Sequence, residues 1–156
     1  MKTRLIAVGK TTSPHFQAAI ADYQQRICHY MSLDIVIIPE LKNARHLSEE
    51  QQKTAEGQLI LNQILPGDTV VLLDEHGLEL RSVQLAHWLG VQQQTARRLT
   101  FVIGGPYGFS SAVYQRANQQ LSLSKLTFSH QMVRLIFIEQ IYRACTILRG
   151  EPYHHE

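Results

Sequence analysis

The stretch Leu-Thr-Phe-Val-Ile-Gly-Gly-Pro-Tyr-Gly-Phe (99–109) runs an apolar strand directly into a loop holding three glycines and a proline. It is followed by Leu-Ser-Leu-Ser-Lys-Leu-Thr-Phe-Ser-His-Gln-Met-Val-Arg (121–134), a second strand that passes through small and polar residues into a helix. Gly104, Gly105 and Gly108 remove the side chains that would keep a small molecule away from the backbone, and Pro106 fixes the turn. In open α/β sheets ligands collect at the carboxyl ends of strands, so a ligand is expected between these two segments.

The elements that must position this loop alternate along the chain. Arg4 to Val8 reads as a strand, and Ser13 with Pro14 opens a helix whose face carries Phe16, Ile20, Tyr23 and Ile27. Leu33 to Ile38 is a second strand. Ser48 and Gln51 have the spacing of a capping box, and their helix should reach about Leu65, packing by a stripe that includes Ala55 and Leu59. After the turn Pro66-Gly67-Asp68, the run Thr69 to Leu73 suits a strand covered on both faces, with Asp74 to Gly77 as a loop at its carboxyl end. Ser82 is expected to cap a helix through Leu89. Leu99 to Ile103 is a fourth strand, Ser110 or Ser111 caps a short helix to Ala117, and Leu121 to Leu123 is a fifth strand. Strand and helix alternate without repeats or linkers, which predicts an α/β fold with a mostly parallel sheet and a single domain over 1–156.

The last helix, 131–148, is apolar around more than one stripe. Either the helix is deep in its own core or its outer face meets a second copy of the chain; with only five short strands to cover, the second reading is favoured, with Ile138 on the outer face.

A chain of 156 residues buries about 70% of its unfolded surface without metal or disulfide. Its two cysteines fit a reduced, cytoplasmic setting. The apolar run Leu5 to Val8 is too short for a signal-peptide core, and no run approaches the roughly twenty residues of a membrane span. A soluble protein is expected. Residues 1–78 hold seven Lys/Arg and nine Asp/Glu, a balance of −2, and residues 79–156 hold eight and four, a balance of +4. That asymmetry predicts an anionic partner drawn toward the glycine loop. Gly9-Lys10-Thr11 lacks the earlier glycine of a phosphate-binding loop, since Arg4 stands there, and no dinucleotide fingerprint is present.

The segments 104–108 and 121–134, with Glu-Gln-Ile-Tyr-Arg-Ala (139–144), the terminal Pro-Tyr-His (152–154) and the opening Leu-Ile-Ala-Val-Gly-Lys (5–10), together resemble the RlmH family. These are SPOUT-class methyltransferases of large-subunit ribosomal RNA, and the similarity runs the full length. The resemblance implies a C-terminal trefoil knot, whereas the general rule against threaded chains leads from spacing alone to an ordinary doubly wound sheet. It also implies a homodimer, S-adenosylmethionine as cofactor, and methylation at N3 of a pseudouridine in 23S ribosomal RNA on the assembled ribosome. Residues matching the family's cofactor positions are Leu73, Gly104, Leu123, Ser124, Lys125, Leu126, Thr127 and Phe128.

Methyl transfer to N3 needs in-line positioning and an acceptor for a weakly acidic proton, with no metal or covalent intermediate. The polar groups available are His130, Arg134, Glu139, Arg143, Tyr153 and His154. Glu139 and Arg143 also have the spacing of a simple helix ion pair, and His130 that of a helix cap. The family's tail helps complete the active site across the dimer. Ser129 stands where a proline is common, and His155 where Arg or Lys is common. A non-catalytic module holding a nucleotide or RNA is the alternative reading; a metal site from His130, His154, His155 and a cysteine lacks tight ligand spacing.

Overall fold

A computed structural model describes residues 1–156. Strand β1 (Lys2–Val8) lies between β2 (Ser32–Ile38) and β4 (Arg98–Ile103), and β3 (Asp68–Glu79) lies between β4 and β5 (Gln119–Ser122). Every pairing is parallel, with Leu5 opposite Ile35 on one side and Phe101 on the other. All five carboxyl ends therefore share one edge. The period-two pattern of β1 divides the core between two faces. Leu5 and Ala7 point to the face covered by α1 (Pro14–Ile27), α3 (Ser82–Thr95) and α5 (His130–Leu148); Ile6 and Val8 point to the face covered by α2 (Glu49–Gln63) and α4 (Ser111–Arg116).

Helix starts follow the local chemistry at four of the five positions. Ser13 Oγ accepts from Phe16 N with Pro14 at the first turn, Ser48 and Gln51 form both bonds of a capping box, Ser110 Oγ accepts from Val113 N, and Ser129 Oγ accepts from Met132 N. The fifth differs from expectation. Ser82 is already inside α3, Arg81 N–H donates to Gln84 Oε1 at 2.8 Å, and Ser82 Oγ donates instead to Gln140 Oε1 on α5.

Two further expectations are corrected by packing. In α2 the buried positions are Glu56, Gly57 and Ile60, with Ala55 and Leu59 only half-buried, because this helix rests on the loop before α4 as well as on the sheet. In α5 the broad apolar surface is largely spent within the chain. The helix lies between α1 and α3, and Phe137, Ile138, Ile141, Ala144 and Cys145 are all buried, so Ile138 faces inward. Among its large apolar side chains only Met132 and Leu148 are exposed, and Ile136 is half-buried outside the main core cluster.

The last correction shapes the site. Asp74 to Gly77 is not a loop that ends β3 but a bulge within it: pairing with β5 passes from Leu73 opposite Leu121 to Leu78 opposite the same Leu121. Gly77 makes this possible. A Cβ there would stand 2.6 Å from the Leu121 carbonyl carbon, so only glycine lets the strand close back onto its neighbour.

Cys28 is exposed and Cys145 buried, both as free thiols. No helix is long and apolar enough to cross a membrane.

Candidate functional site

The loop after β4 folds as a tight turn in which Gly108 N–H donates to the Gly105 carbonyl at 3.2 Å. Gly108 has φ +83°, a conformation L side chains rarely adopt. Opposite it, the chain leaving β5 is set by two short bonds: Ser122 Oγ donates to the Ser124 carbonyl at 3.0 Å, and Leu126 N–H donates to Ser124 Oγ at 2.9 Å. Between the two segments lies a cleft of about 410 Å³, within the usual range for a small-molecule site.

Seven of the eight expected cofactor positions line this cleft: Leu73, Gly104, Leu123, Ser124, Leu126, Thr127 and Phe128. Lys125 does not. Leu126 is 74% exposed, a large apolar side chain with nothing covering it at the rim of a cavity.

Sequence reasoning missed the acidic side of the cleft. The β3 bulge carries Asp74, Glu75 and His76 into its wall, and Tyr114 of α4 joins them. Asp74 accepts from the Tyr114 hydroxyl, from His76 N–H at 2.8 Å, and pairs with His76 Nδ1 at 3.1 Å. Burial, then the bond to Asp74, holds the Tyr114 phenol well above its usual pKa. No Lys or Arg lines the cleft, so the +4 balance of residues 79–156 does not concentrate there. Three of its cations are engaged elsewhere: Arg98 with Asp68 at 2.5 Å, Arg116 with the carbonyls of Leu65 and Asp68, and Arg143 with Glu139.

The six polar candidates separate into three places. His130, the first residue of α5, lines the cleft; the helix is capped by Ser129, the residue that departs from the common proline. Arg134 is not brought into the cleft. It is 3% exposed, donating from Nη2 to the Val8 carbonyl at 2.8 Å and from Nη1 to Thr11 Oγ1 at 3.2 Å, and burial lowers its pKa. Its bonds tie α5 to the loop after β1, as does the bond from Thr12 N–H to Gln131 Oε1 at 2.8 Å.

Glu139, Arg143, Tyr153 and His154 form one cluster, and none of them lines the cleft of the same chain. Glu139 Oε1 accepts from Arg143 Nη2 at 2.6 Å and from the Tyr153 hydroxyl at 2.9 Å. Arg143 Nη1 stands 3.2 Å from His154 Nδ1. Because a guanidinium only donates, Nδ1 is the acceptor in this contact, and Nε2 is buried without a partner. The Tyr153 ring packs on Tyr142 with centroids 4.7 Å apart and lies 4.8 Å from the Arg143 guanidinium carbon, and burial holds its phenol well above the usual value. No group of three or more His, Cys, Asp or Glu is placed to hold a metal ion.

A family model described as "Predicted SPOUT methyltransferase" matches residues 1–154. The chain belongs to this family. Along its whole length it is 57% identical to the "Ribosomal RNA large subunit methyltransferase H" of Phocaeicola vulgatus and 58% identical to that of Bacteroides fragilis, in each case covering the whole of both chains. The protein of the same name from Flavobacterium johnsoniae is 50% identical, again over the full length of both. The α/β fold with its five-stranded parallel sheet is consistent with the SPOUT methyltransferase fold. Within that family frame, the one available signal for the missed acidic wall is the sequence Asp-Glu-His-Gly directly after an apolar strand, whose glycine permits the bulge.

Proposed function

We propose that this chain is an S-adenosylmethionine-dependent methyltransferase, acting on N3 of a pseudouridine in 23S ribosomal RNA on the assembled ribosome, in the cytoplasm and as a homodimer. The whole of 1–156 is one domain in this reading, with the family's C-terminal trefoil knot. The observation that carries it is the cleft at the carboxyl ends of β3, β4 and β5, in a chain whose full-length relatives are named as ribosomal RNA large subunit methyltransferases.

The lining suits the cofactor. Leu73, Leu123, Leu126 and Phe128 offer apolar surface for an adenine, the Gly104 to Gly108 backbone and Ser124 offer polar groups to its edge, and Asp74 and Glu75 suit a ligand bearing positive charge. When bound, S-adenosylmethionine supplies a methyl group from a positively charged sulfur. What the chain itself must do is hold N3 in line and take up its proton.

In one chain the cleft contains only His130 of the polar candidates, so the cluster of Glu139, Arg143, Tyr153 and His154 has a role at the cleft only if a second copy presents it. This supports the dimer more directly than apolar surface on α5 does. Glu139 then offers a carboxylate to the partner's cleft. The non-catalytic binding module is not favoured by relatives named as methyltransferases.

Incubation of the purified protein with labelled S-adenosylmethionine and ribosomes from a strain lacking this activity tests the reading. Label should enter large-subunit RNA at one pseudouridine, and much faster in ribosomes than in an isolated hairpin transcript. No incorporation alongside tight cofactor binding would leave the binding module.

A further inference from the structure

Glu56 is a carboxylate in the wrong place for an ordinary helix residue. It is 4% exposed in the middle of α2, Oε2 accepts only Gln52 Nε2 at 3.3 Å, and Oε1 has no hydrogen-bond partner. A buried carboxylate left partly unpaired is costly, and burial pushes its pKa up. Such a group persists where something depends on it.

What it faces is the glycine loop. A Cβ added at Gly105 would stand 2.4 Å from Glu56 Oε1 and 2.7 Å from Oε2. The backbone at 105 does not itself call for glycine, since the positive-φ glycines are Gly9, Gly67, Gly108 and Gly150. The two glycines of the turn therefore have different reasons: Gly108 serves its own dihedral, and Gly105 makes room for Glu56. The neighbouring residue does the same at the loop's other end. A Cβ at Gly57 would stand 2.4 Å from Oγ of Ser110, the residue that caps α4. Consecutive residues of α2 thus touch both ends of the segment that forms one wall of the cleft.

We infer that Glu56 is a positioning residue for the cleft: its carboxylate occupies the space of a side chain at 105 and sets the distance of the Gly104–Gly108 turn from the 122–128 segment opposite. This rests on the cleft being the S-adenosylmethionine site. Glu56 touches no ligand in this account; it acts through Gly105.

The test is a double-substitution cycle on the full-length protein, read as S-adenosylmethionine affinity by calorimetry, with thermal melting to confirm folding. Gly105→Ala should weaken binding by about tenfold or more while melting as a folded protein, because the methyl group meets the carboxylate and lifts the turn. Glu56→Ala should weaken it by about as much, as the turn loses its support. The double variant Glu56→Ala/Gly105→Ala should bind better than Gly105→Ala alone, since the methyl group then has room. Glu56→Gln, which keeps the shape, should stay within about threefold of the parent. If Glu56→Ala does not fold, Glu56→Asp withdraws the carboxylate by one methylene and replaces it in the cycle. A Gly105→Ala protein that binds as the parent does, or a double variant no better than Gly105→Ala, overturns the inference while leaving the cofactor site intact. A parent protein that does not bind S-adenosylmethionine overturns the cofactor reading and this inference with it.

Discussion

The Tyr153 hydroxyl donates to Glu139 Oε1 at 2.9 Å, joining the C-terminal tail to the middle of α5. The same oxygen holds Arg143 at 2.6 Å, so two polar groups, Tyr153 and Arg143, are fixed by one carboxylate. The tail is therefore a placed element rather than a loose end, although it adds nothing to the buried apolar core.

Ending the chain after Gly150 should cost about 1–3 kcal/mol of stability, from the Tyr153 contacts with Tyr142 and Arg143. Cofactor affinity should stay within about threefold, whereas methyl transfer to ribosomes should fall by at least ~10²-fold, the usual contribution of a positioned acid–base or orienting group. Calorimetry and a ribosome assay on the same preparation separate the two effects. Full-rate transfer by the truncated protein would remove Tyr153 and His154 from the mechanism.

Gly104→Val should also lose cofactor affinity, by about tenfold or more, for a reason different from blocking the open cleft. A Cβ at 104 would stand 3.0 Å from Phe109 Cε1, and Phe109 is buried with its ring set edge-on against Tyr114 at 5.7 Å. The larger side chain must displace that ring and the acidic wall behind it. Adding Phe109→Leu should return part of the affinity; an unchanged double variant would mean that the valine acts on the ligand directly.

Light scattering at micromolar concentration should give twice the 17.8 kDa chain mass. The positions that test the interface are Met132 and Ile136, at the exposed side of α5, and not Ile138, which is fully buried. Ile136→Glu should give a folded monomer with intact cofactor binding and no methyl transfer. Ile138→Glu should instead fail to fold, since it places a charge in the core. A parent protein that is monomeric and fully active would end the two-copy site.

Stability should decline between pH 9 and about 11 through Cys145. Burial raises its thiol from 9.0 to about 11, so over this window the unfolded chain releases a proton that the folded chain retains. Fewer protons on the unfolded state means that stability falls as pH rises, by up to about 3 kcal/mol across the window. Urea denaturation of Cys145→Ala should show a flatter alkaline limb than the parent, whatever its loss of packing at neutral pH. Parallel limbs would mean that Cys145 does not titrate differently on folding.

The elements and the glycine-walled cleft were legible in the sequence, because both rest on local chemistry. Caps at Ser13, Ser48 and Ser110 act over three residues, the period of β1 assigns Leu5 and Ile6 to opposite faces, and glycines after an apolar strand mark where a backbone can be approached. Of the eight positions that family likeness marks for a cofactor, seven line one cavity. Only the tertiary structure decided what each polar group faces. Arg134 meets Val8 from 126 positions away and is held apart from the cleft lining, and Asp74 meets Tyr114 from 40 positions away and builds an acidic wall. Glu56 reads in sequence as one more solvated helix acid and lies beneath Gly105. A sum of charges cannot anticipate this, since a cation's availability depends on the carbonyl or carboxylate that packing brings to it. Equally, the apolar girth of α5 gave no count of the faces its own chain would cover, because that depends on α1 and α3 closing around it.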